Sequence, residues 1–267
     1  MLWPLITFGW ILTITSLHAQ PAWKSELTSS ALGPHPGITS CFLDFKVSWK
    51  GLINSGTLKM EFAPKDAKKT HDFIVRSSAS SLGTAAALFP YQSDYWSELD
   101  PKTFKPRYFH ATEKDKKESI TTIVRFWPDR VETQETSKLT ATGKSSQTDE
   151  IFKFTPVFDI FSAMLHVRSQ TLAVGDKVTL VICPFKSPML LRITVISHET
   201  HNGRDAIRLN LGMQKIKSNT LELKAYKKLK KDATLWLSND ADRIPVEFRA
   251  AVFIGDVRAT LSKYQKF

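Results

Sequence analysis

Alternation of apolar and polar side chains is the feature that most restricts how this chain can fold. In residues 42–51, FLDFKVSWKG, every second side chain is apolar, and residues 57–62, TLKMEF, repeat the pattern. Because successive side chains of a strand point to opposite faces, this period predicts strands with one buried face. The turn-forming GLINSG at 51–56 indicates that the two strands form an antiparallel hairpin.

Similar short segments recur along the chain, separated by turns rich in Pro, Gly, Asp and Lys. Only residues 80–90 and 158–169 favour helices, the first stopped by a proline and the second apolar at helical spacing. We therefore predict a mainly β domain over residues 41–267. It is a single curved antiparallel sheet, or a partly closed barrel or half-barrel, with one or two short helices. Residues 136–150 contain almost no apolar side chain and predict a flexible loop.

The first 19 residues contain no Asp, Glu, Lys or Arg and end at the small Ala19, a pattern typical of a secretory signal. Their apolar run is too short for a comfortable membrane span, and no later segment supplies one. We expect cleavage near Ala19 and Gln20, which leaves an exported protein without a transmembrane span. The Pro-, Gly- and Ser-rich residues 20–40 predict a flexible lead-in.

The charge is strongly basic, with 37 Lys and Arg against 26 Asp and Glu, a net +11. Such a field favours anionic partners, and export makes nucleic acid an unlikely one. Residues 215–232, KIKSNTLELKAYKKLKKD, concentrate the lysines and predict a surface that attracts lipid head groups or acidic polysaccharide. The alternative is a solvated sheet edge that lysines protect from pairing. The predicted binding residues are Lys224, Lys227, Lys228, Lys230, Lys231 and Arg243.

Residues 197–205, SHETHNGRD, contain the only histidine cluster that resembles a metal site. Its Asn-Gly pair is a strong signal for a two-residue hairpin turn. On the resulting strand, His198 and His201 point to opposite faces, so they cannot bind one ion together. We predict no metal site and no cofactor.

Residues 235–248, LWLSNDADRIPVEF, place several polar side chains between two strand-like stretches. Asp240 and Asp242 there, and Glu199 earlier in the chain, are the candidates for acid/base catalysis, which requires one carboxyl with a raised pKa. Asn and Asp also form hairpin tips by bonding their own backbone. We prefer the hairpin tip, and no nucleophile motif or phosphate-binding loop supports an enzyme.

Cys41 and Cys183 are the two cysteines of the chain. In an oxidising compartment they are candidates for one disulfide that closes a long loop. Both lie in strand-like segments, so separate buried thiols are an equal alternative.

Four segments together resemble a bacterial family of exported proteins known only as domain of unknown function 3108. The likeness extends from about Phe42 to Leu261 and is most specific in the last segment, with its Ser-Asn-Asp tip and its Arg-Ile-Pro strand start. The resemblance implies a mainly β fold in the bacterial periplasm or cell envelope, and it implies no activity and no catalytic residues. The four segments are residues 45–62, 159–176, 195–212 and 235–261.

Three hypotheses follow. The leading one is a non-catalytic envelope protein that holds an amphiphile on its concave apolar face, or an anionic ligand at its lysine-rich edges. The second is a hydrolase or lyase that acts on an acidic envelope polysaccharide. The third is a structural or assembly factor that binds another envelope protein through an exposed strand edge.

Overall fold

A computed structural model of the protein describes residues 20–63, 72–227, 229–252 and 255–267. The expected signal segment, 1–19, and Lys228 lie outside these ranges. A short 3-10 helix spans Ala22–Glu26. The first eight strands are β1 (Cys41–Trp49), β2 (Ile53–Phe62), β3 (Phe73–Ser81), β4 (Tyr91–Leu99), β5 (Pro106–Asp115), β6 (Glu118–Phe126), β7 (Val131–Leu139) and β8 (Ser145–Phe152). The other seven are β9 (Lys177–Ile182), β10 (Met189–His201), β11 (Arg204–Ile216), β12 (Leu223–Ala225), β13 (Ala233–Ser238), β14 (Pro245–Val252) and β15 (Gly255–Lys266). The helices are α1 (Gly83–Leu88) and α2 (Ile160–Ser169).

All fifteen strands join one antiparallel sheet that is not closed. β1 to β8 run as a meander to one edge, and the chain then passes through α2 to β9 at the other edge. From β9 the meander returns, and β15 pairs with β1, with Trp49 opposite Val257. The short β12 pairs only with the end of β11. The prediction of a single curved antiparallel sheet is confirmed.

The two ends of the sheet overlap, because β9 is buried on both of its faces. On one face, Val181 joins a large core cluster with the inward side chains of β1 to β8. On the other face, Leu180 and Ile182 join a second cluster with β10, β11 and β13. The sheet therefore curls until its last strand at one end enters its own interior.

Helix α2 lies between the two clusters and fills the space that the sheet encloses. Phe161 and Leu165 pack in the first cluster, and Ala163 and Val167 pack in the second. Nearly every residue of the helix is buried, including His166, whose pKa burial lowers to about 4. The concave face predicted to hold an amphiphile is thus occupied by the protein's own helix.

The buried start of α2 needs a cap, because its first backbone N–H groups cannot reach water. Asp159 Oδ1 accepts hydrogen bonds from the backbone N–H groups of Phe161 (2.7 Å) and Ser162 (2.8 Å). The other oxygen, Oδ2, accepts from the Ser97 hydroxyl of β4 at 2.5 Å. Asp159 therefore fixes the helix start and ties it to the sheet.

The predicted flexible lead-in is wrong, because residues 20–40 are packed along the sheet. Trp23 is buried, and its indole N–H donates to the carbonyl of Leu221 at 2.9 Å. Thr28 exchanges hydrogen bonds with Thr179 and so covers the edge of β9. The composition of this segment is typical of a loop. It is held in place by one buried indole and by hydrogen bonds to the backbone at the edge of β9.

The predicted flexible loop at 136–150 is also wrong. Its residues form the ends of β7 and β8, joined by a turn at 140–144, with Thr136 opposite Gln147. Most of β8 is exposed, so the strand needs no apolar side chains and is held by backbone pairing with β7. The sequence signal for a strand is weak wherever neither face is buried.

Both cysteines are buried free thiols. Cys41 begins β1 opposite Lys266, whereas Cys183 follows β9 and contacts the carbonyl of Phe185. Of the two alternatives, the structure shows separate buried residues, and burial raises the pKa of the Cys41 thiol to about 11.

We predict that Asp159→Ala lowers the free energy of unfolding by about 2 kcal/mol, because three buried donors lose their acceptor. Asp159→Asn keeps one acceptor oxygen at the same place and is expected to cost clearly less. Urea unfolding followed by tryptophan fluorescence measures both. Equal losses for the two variants would show that the cap is not what holds the helix start.

Candidate functional site

A groove of about 400 Å³ lies where the overlapping ends of the sheet leave a seam. One wall is the exposed edge strand β8, and the other is the end of β11 with its turn into β12. Because Ile216 points into the core, the neighbouring Lys215 and Lys217 project from the outer face. The groove is lined by Glu150, Ile151, Ser187, Lys215, Ile216, Lys217, Ser218, Asn219 and Lys224.

The turn from β11 to β12 is held by its own backbone. The Lys217 N–H donates to the carbonyl of Glu222, and the Leu221 N–H donates to the carbonyl of Lys217. Leu221 adopts a left-handed conformation with φ of 58°, and its carbonyl accepts the indole bond of Trp23. The lead-in thus fixes this wall of the groove.

Within the groove, two lysines stand directly opposite each other on paired strands. Lys215 of β11 is the register partner of Lys224 of β12, and both are exposed. Like charges in this position repel, because directly opposite Cβ atoms are roughly 5 Å apart. Within the described ranges, neither lysine has a carboxylate within ion-pair distance. The arrangement has unfavourable electrostatics that a bound anion would relieve.

The other charges of the groove are partly compensated. Lys217 forms an ion pair with Glu222, and that hydrogen bond holds the pKa of the Glu222 carboxyl below its ordinary value. Glu150 on the β8 wall is the acidic member of the lining. Lys215 and Lys224 form no ion pair of their own in the described residues, although the charge of Lys224 also helps to lower the pKa of Glu222.

The other predicted binding lysines do not line this groove. Lys227, Lys230 and Lys231 are exposed in the connection between β12 and β13, where the Lys230 N–H donates to the carbonyl of Ala251 at the end of β14. Lys228 lies outside the described residues. The lysine-rich segment is therefore divided between the groove and the β12–β13 connection. Of the predicted lysines that the structure describes, only Lys224 lines the groove.

Arg243, one of the predicted binding residues, contacts the protein's own backbone. Its guanidinium is buried and donates to three carbonyls at the C-terminal end of α2, those of Arg168 (3.0 Å), Gln170 and Thr171 (3.1 Å). A cation beside these carbonyls also complements the helix dipole. The N–H groups that Arg243 directs at α2 all donate to backbone carbonyls, so Arg243 is a capping residue.

Asp240 and Asp242 form the hairpin tip that the sequence favours. Asp240 Oδ1 accepts from the Ser238 hydroxyl and from the backbone N–H groups of Asp242 and Arg243. The carboxylate of Asp242 pairs with Lys266 at 2.8 Å, a contact that lowers its pKa. The backbone carbonyl of Asp242 accepts two bonds from Arg168. A general acid requires a raised pKa, whereas the pKa of Asp242 is lowered.

Glu199 takes part in an outer-face network that sequence reasoning missed. It accepts from Ser197 and from the indole of Trp236, and these bonds lower its pKa. The ring of Trp236 stacks on His201, with centroids 4.2 Å apart, and Arg249 covers it at 4.7 Å. This aromatic residue therefore organises charged side chains from three neighbouring strands.

Glu247 is the buried acid at the centre of this network. Burial raises its pKa, but donation from Arg249, Asn202 and His201 outweighs burial, and the net pKa lies below the ordinary 4.5. Thr260 donates a further bond at 3.2 Å. No group of three or more His, Cys, Asp or Glu side chains in the described residues is arranged to hold a metal ion. The arrangement is that of a structural ion network.

We predict that Arg243→Met lowers the free energy of unfolding by roughly 3 kcal/mol, because three buried carbonyls lose a charged donor. The exposed Lys102→Met at the same end of the sheet removes the same charge and serves as the matched control, with no measurable change expected. Equal effects in thermal unfolding would refute the capping role. A loss of ligand affinity in Arg243→Met with unchanged stability would restore the binding role.

Glu247 provides a test against pH. Because its folded pKa is depressed, its stabilising contribution is present above the ordinary value of 4.5 and is lost as pH falls through the folded pKa. Glu247→Gln should therefore be less stable than the native protein near pH 7, with the gap narrowing toward about pH 3. Urea unfolding at both pH values measures the gap, and a constant gap would contradict the assignment.

Comparison with known proteins agrees with this architecture. A crystal structure of a β-barrel-like protein from Brucella abortus, of the domain of unknown function DUF1849, superimposes with a TM-score of 0.53 at 9% identity. The alignment covers 86% of this chain and 98% of the other, so the two share a fold. No curated protein matches the sequence. Residues 44–262 match the family described as protein of unknown function DUF3108, and the chain belongs to that family.

Proposed function

We propose that this protein is an exported, non-catalytic binding module that takes an anionic ligand of the bacterial cell envelope into the groove at the seam of its sheet. The observation that supports this best is the pair Lys215 and Lys224, two like charges held directly opposite each other in a groove. A folded protein gains nothing in stability from that pairing. An anionic ligand converts the repulsion into attraction for both lysines.

Export to the periplasm or envelope is part of the proposal and is supported by the uncharged, apolar first 19 residues. Neither helix in the described ranges has the length and apolar character needed to cross a bilayer. In that compartment the abundant anions are lipid head groups and acidic polysaccharides. The groove between β8 and the β11–β12 turn is lined by three lysines and one acid, so its net charge favours an acidic ligand.

A second groove, of about 320 Å³ on the outer face of β1 to β5, is a weaker candidate. Its charged lining has both signs, with Lys59 and Arg76 beside Glu61 and Asp94. Because these charges compensate one another, the groove has no excess of either sign to select a ligand. The seam groove is the better choice for an anion.

The three candidate carboxylates do not favour the hydrolase alternative. Asp240 and Asp242 are engaged in the hairpin tip, and Glu199 belongs to the Trp236 network on the outer face. Catalysis of glycoside cleavage requires two carboxyl groups on either side of one bond, one of them with a raised pKa. These three residues do not supply such a pair.

One observation favours the assembly-factor alternative. β8 pairs with β7 on one side only, and most of its residues are exposed. An unpaired edge offers backbone donors and acceptors to an extended segment of another protein. A partner that binds through this edge would lie beside Lys215 and Lys224.

The proposed function predicts opposite effects on stability and on binding. In Lys215→Gln/Lys224→Gln, relief of repulsion should leave the thermal midpoint unchanged or raise it slightly, whereas affinity for a short galacturonic acid oligomer should fall by roughly tenfold or more. Calorimetric titration at low and high salt measures the affinity. Lys102→Gln/Lys105→Gln removes the same charge from exposed positions outside both grooves.

If both double variants lose affinity equally, attraction is diffuse and the groove is not the site. Absence of binding by the native protein, together with pull-down of a stoichiometric protein partner, would favour assembly through β8 instead.

A further inference from the structure

Large apolar side chains are exposed together at one end of the sheet. The β1–β2 turn presents Leu52, which is 86% exposed, and Ile53 beside the half-exposed Trp49. Helix α1 presents Leu88 and Phe89, 62% and 60% exposed. We call these five residues the apolar rim. Clusters of exposed apolar side chains of this size indicate a contact surface.

The two parts of the apolar rim are adjacent and rigidly held. The Leu82 N–H, just before α1, donates to the carbonyl of Ser55 in β2. Gly56 permits this close approach, since a Cβ there would stand 2.4 Å from the carbonyl oxygen of Ser80. The start of β15 lies against the other side, because a Cβ at Gly255 would stand 2.4 Å from the Trp49 indole. The rim is therefore a fixed feature of the fold.

The same end of the sheet holds seven exposed lysines in its turns and connections. Antiparallel pairing puts the β1–β2, β5–β6, β7–β8 and β14–β15 turns at one end, and the Thr140 N–H donates to the carbonyl of Lys117 between two of them. The Lys230 N–H bond to Ala251 adds the β12–β13 connection to this end. The exposed lysines of these turns are Lys50, Lys116, Lys117, Lys144, Lys227, Lys230 and Lys231.

The acids of this end are engaged within the protein. Asp115 accepts from the backbone N–H groups of the β5–β6 turn, Asp232 accepts from Asn210, and Asp256 pairs with Arg258. The seven exposed lysines named above, by contrast, take part in no ion pair among the described residues, and they lie at the same end of the sheet as the apolar rim.

We propose that this end of the protein docks onto an anionic lipid bilayer, with the apolar rim in the head-group region and the surrounding lysines on lipid phosphates. Aromatic and aliphatic side chains on the same end of a protein as several exposed lysines suit an interfacial anchor, since apolar burial and charge attraction then act together. A protein partner would need acidic and apolar groups in a matching ring, whereas a bilayer offers both along its whole surface. The inference does not rest on ligand binding in the seam groove.

Co-sedimentation with vesicles tests the docking. The full chain is expressed, its N-terminus is determined by mass spectrometry, and binding to vesicles of phosphatidylglycerol with phosphatidylcholine is compared with binding to phosphatidylcholine alone. Because all variants share one N-terminus, differences between them report on the rim.

Leu52→Asp/Phe89→Asp should lower partitioning into the anionic vesicles by at least about tenfold, and Lys227→Gln/Lys230→Gln/Lys231→Gln should lower it by a similar factor and weaken its salt dependence. Trp127→Asp/Val174→Asp changes two exposed apolar residues at the opposite end and should bind like the native protein. Lys215→Gln/Lys224→Gln should also bind vesicles normally, so failure of the groove and failure of the rim are distinguishable.

Three results would overturn the proposal. The first is that the native protein binds neither kind of vesicle. The second is that both apolar double variants lose binding equally. The third is self-association of the native protein through the rim, shown by a mass in solution that Leu52→Asp/Phe89→Asp returns to that of one chain.

Discussion

The burial of α2 inside the sheet is the constraint on which the rest of the structure depends. An open antiparallel sheet of this length has an inner face that it cannot cover by itself, and here one ten-residue helix packs against both of its halves. A helix in that position cannot hydrogen-bond its ends to water, so both ends require protein partners. Asp159 supplies them at the start and Arg243 at the end. Two residues that are polar in the sequence are thus required by the core.

This solution determines where function can lie. Because α2 packs on the inner face, the two grooves described above and the apolar rim lie outside it. The seam exists because β9 curls into the interior instead of pairing with β8. The groove between β8 and the β11–β12 turn is a direct result of that incomplete closure. The same curling that places α2 on the inner face therefore leaves the seam groove open to the outside.

The parts of the fold that were predictable from sequence are the strands with one buried face. The alternation in β1 and β2 gives their pairing, and the Asn-Gly pair gives the tight turn between β10 and β11. β3 has a weak sequence signal, because small serines such as the buried Ser77 replace apolar residues on its inner face. The lead-in escaped because one residue, Trp23, anchors it.

The candidate site was predictable only in part. The lysine-rich segment marks the right region, but the pairing of Lys215 with Lys224 depends on the register of a three-residue strand that no local pattern specifies. The role of Arg243 depends on α2, 73 to 75 residues away along the chain. Glu247 likewise gains its partners from other strands of the sheet. Tertiary contacts of this kind leave no periodicity in the sequence.

The positions of the acids show where the net charge of +11 lies in the structure. Asp159 caps a helix, Asp240 holds a hairpin tip and Glu247 lies in a buried network. Each accepts several hydrogen bonds from the protein. The lysines of the seam and of the rim have no such structural task. These carboxylates therefore stabilise the fold, whereas the lysines remain exposed on the surface. Mutual repulsion of these lysines costs stability, and the anionic partners proposed above would relieve that cost.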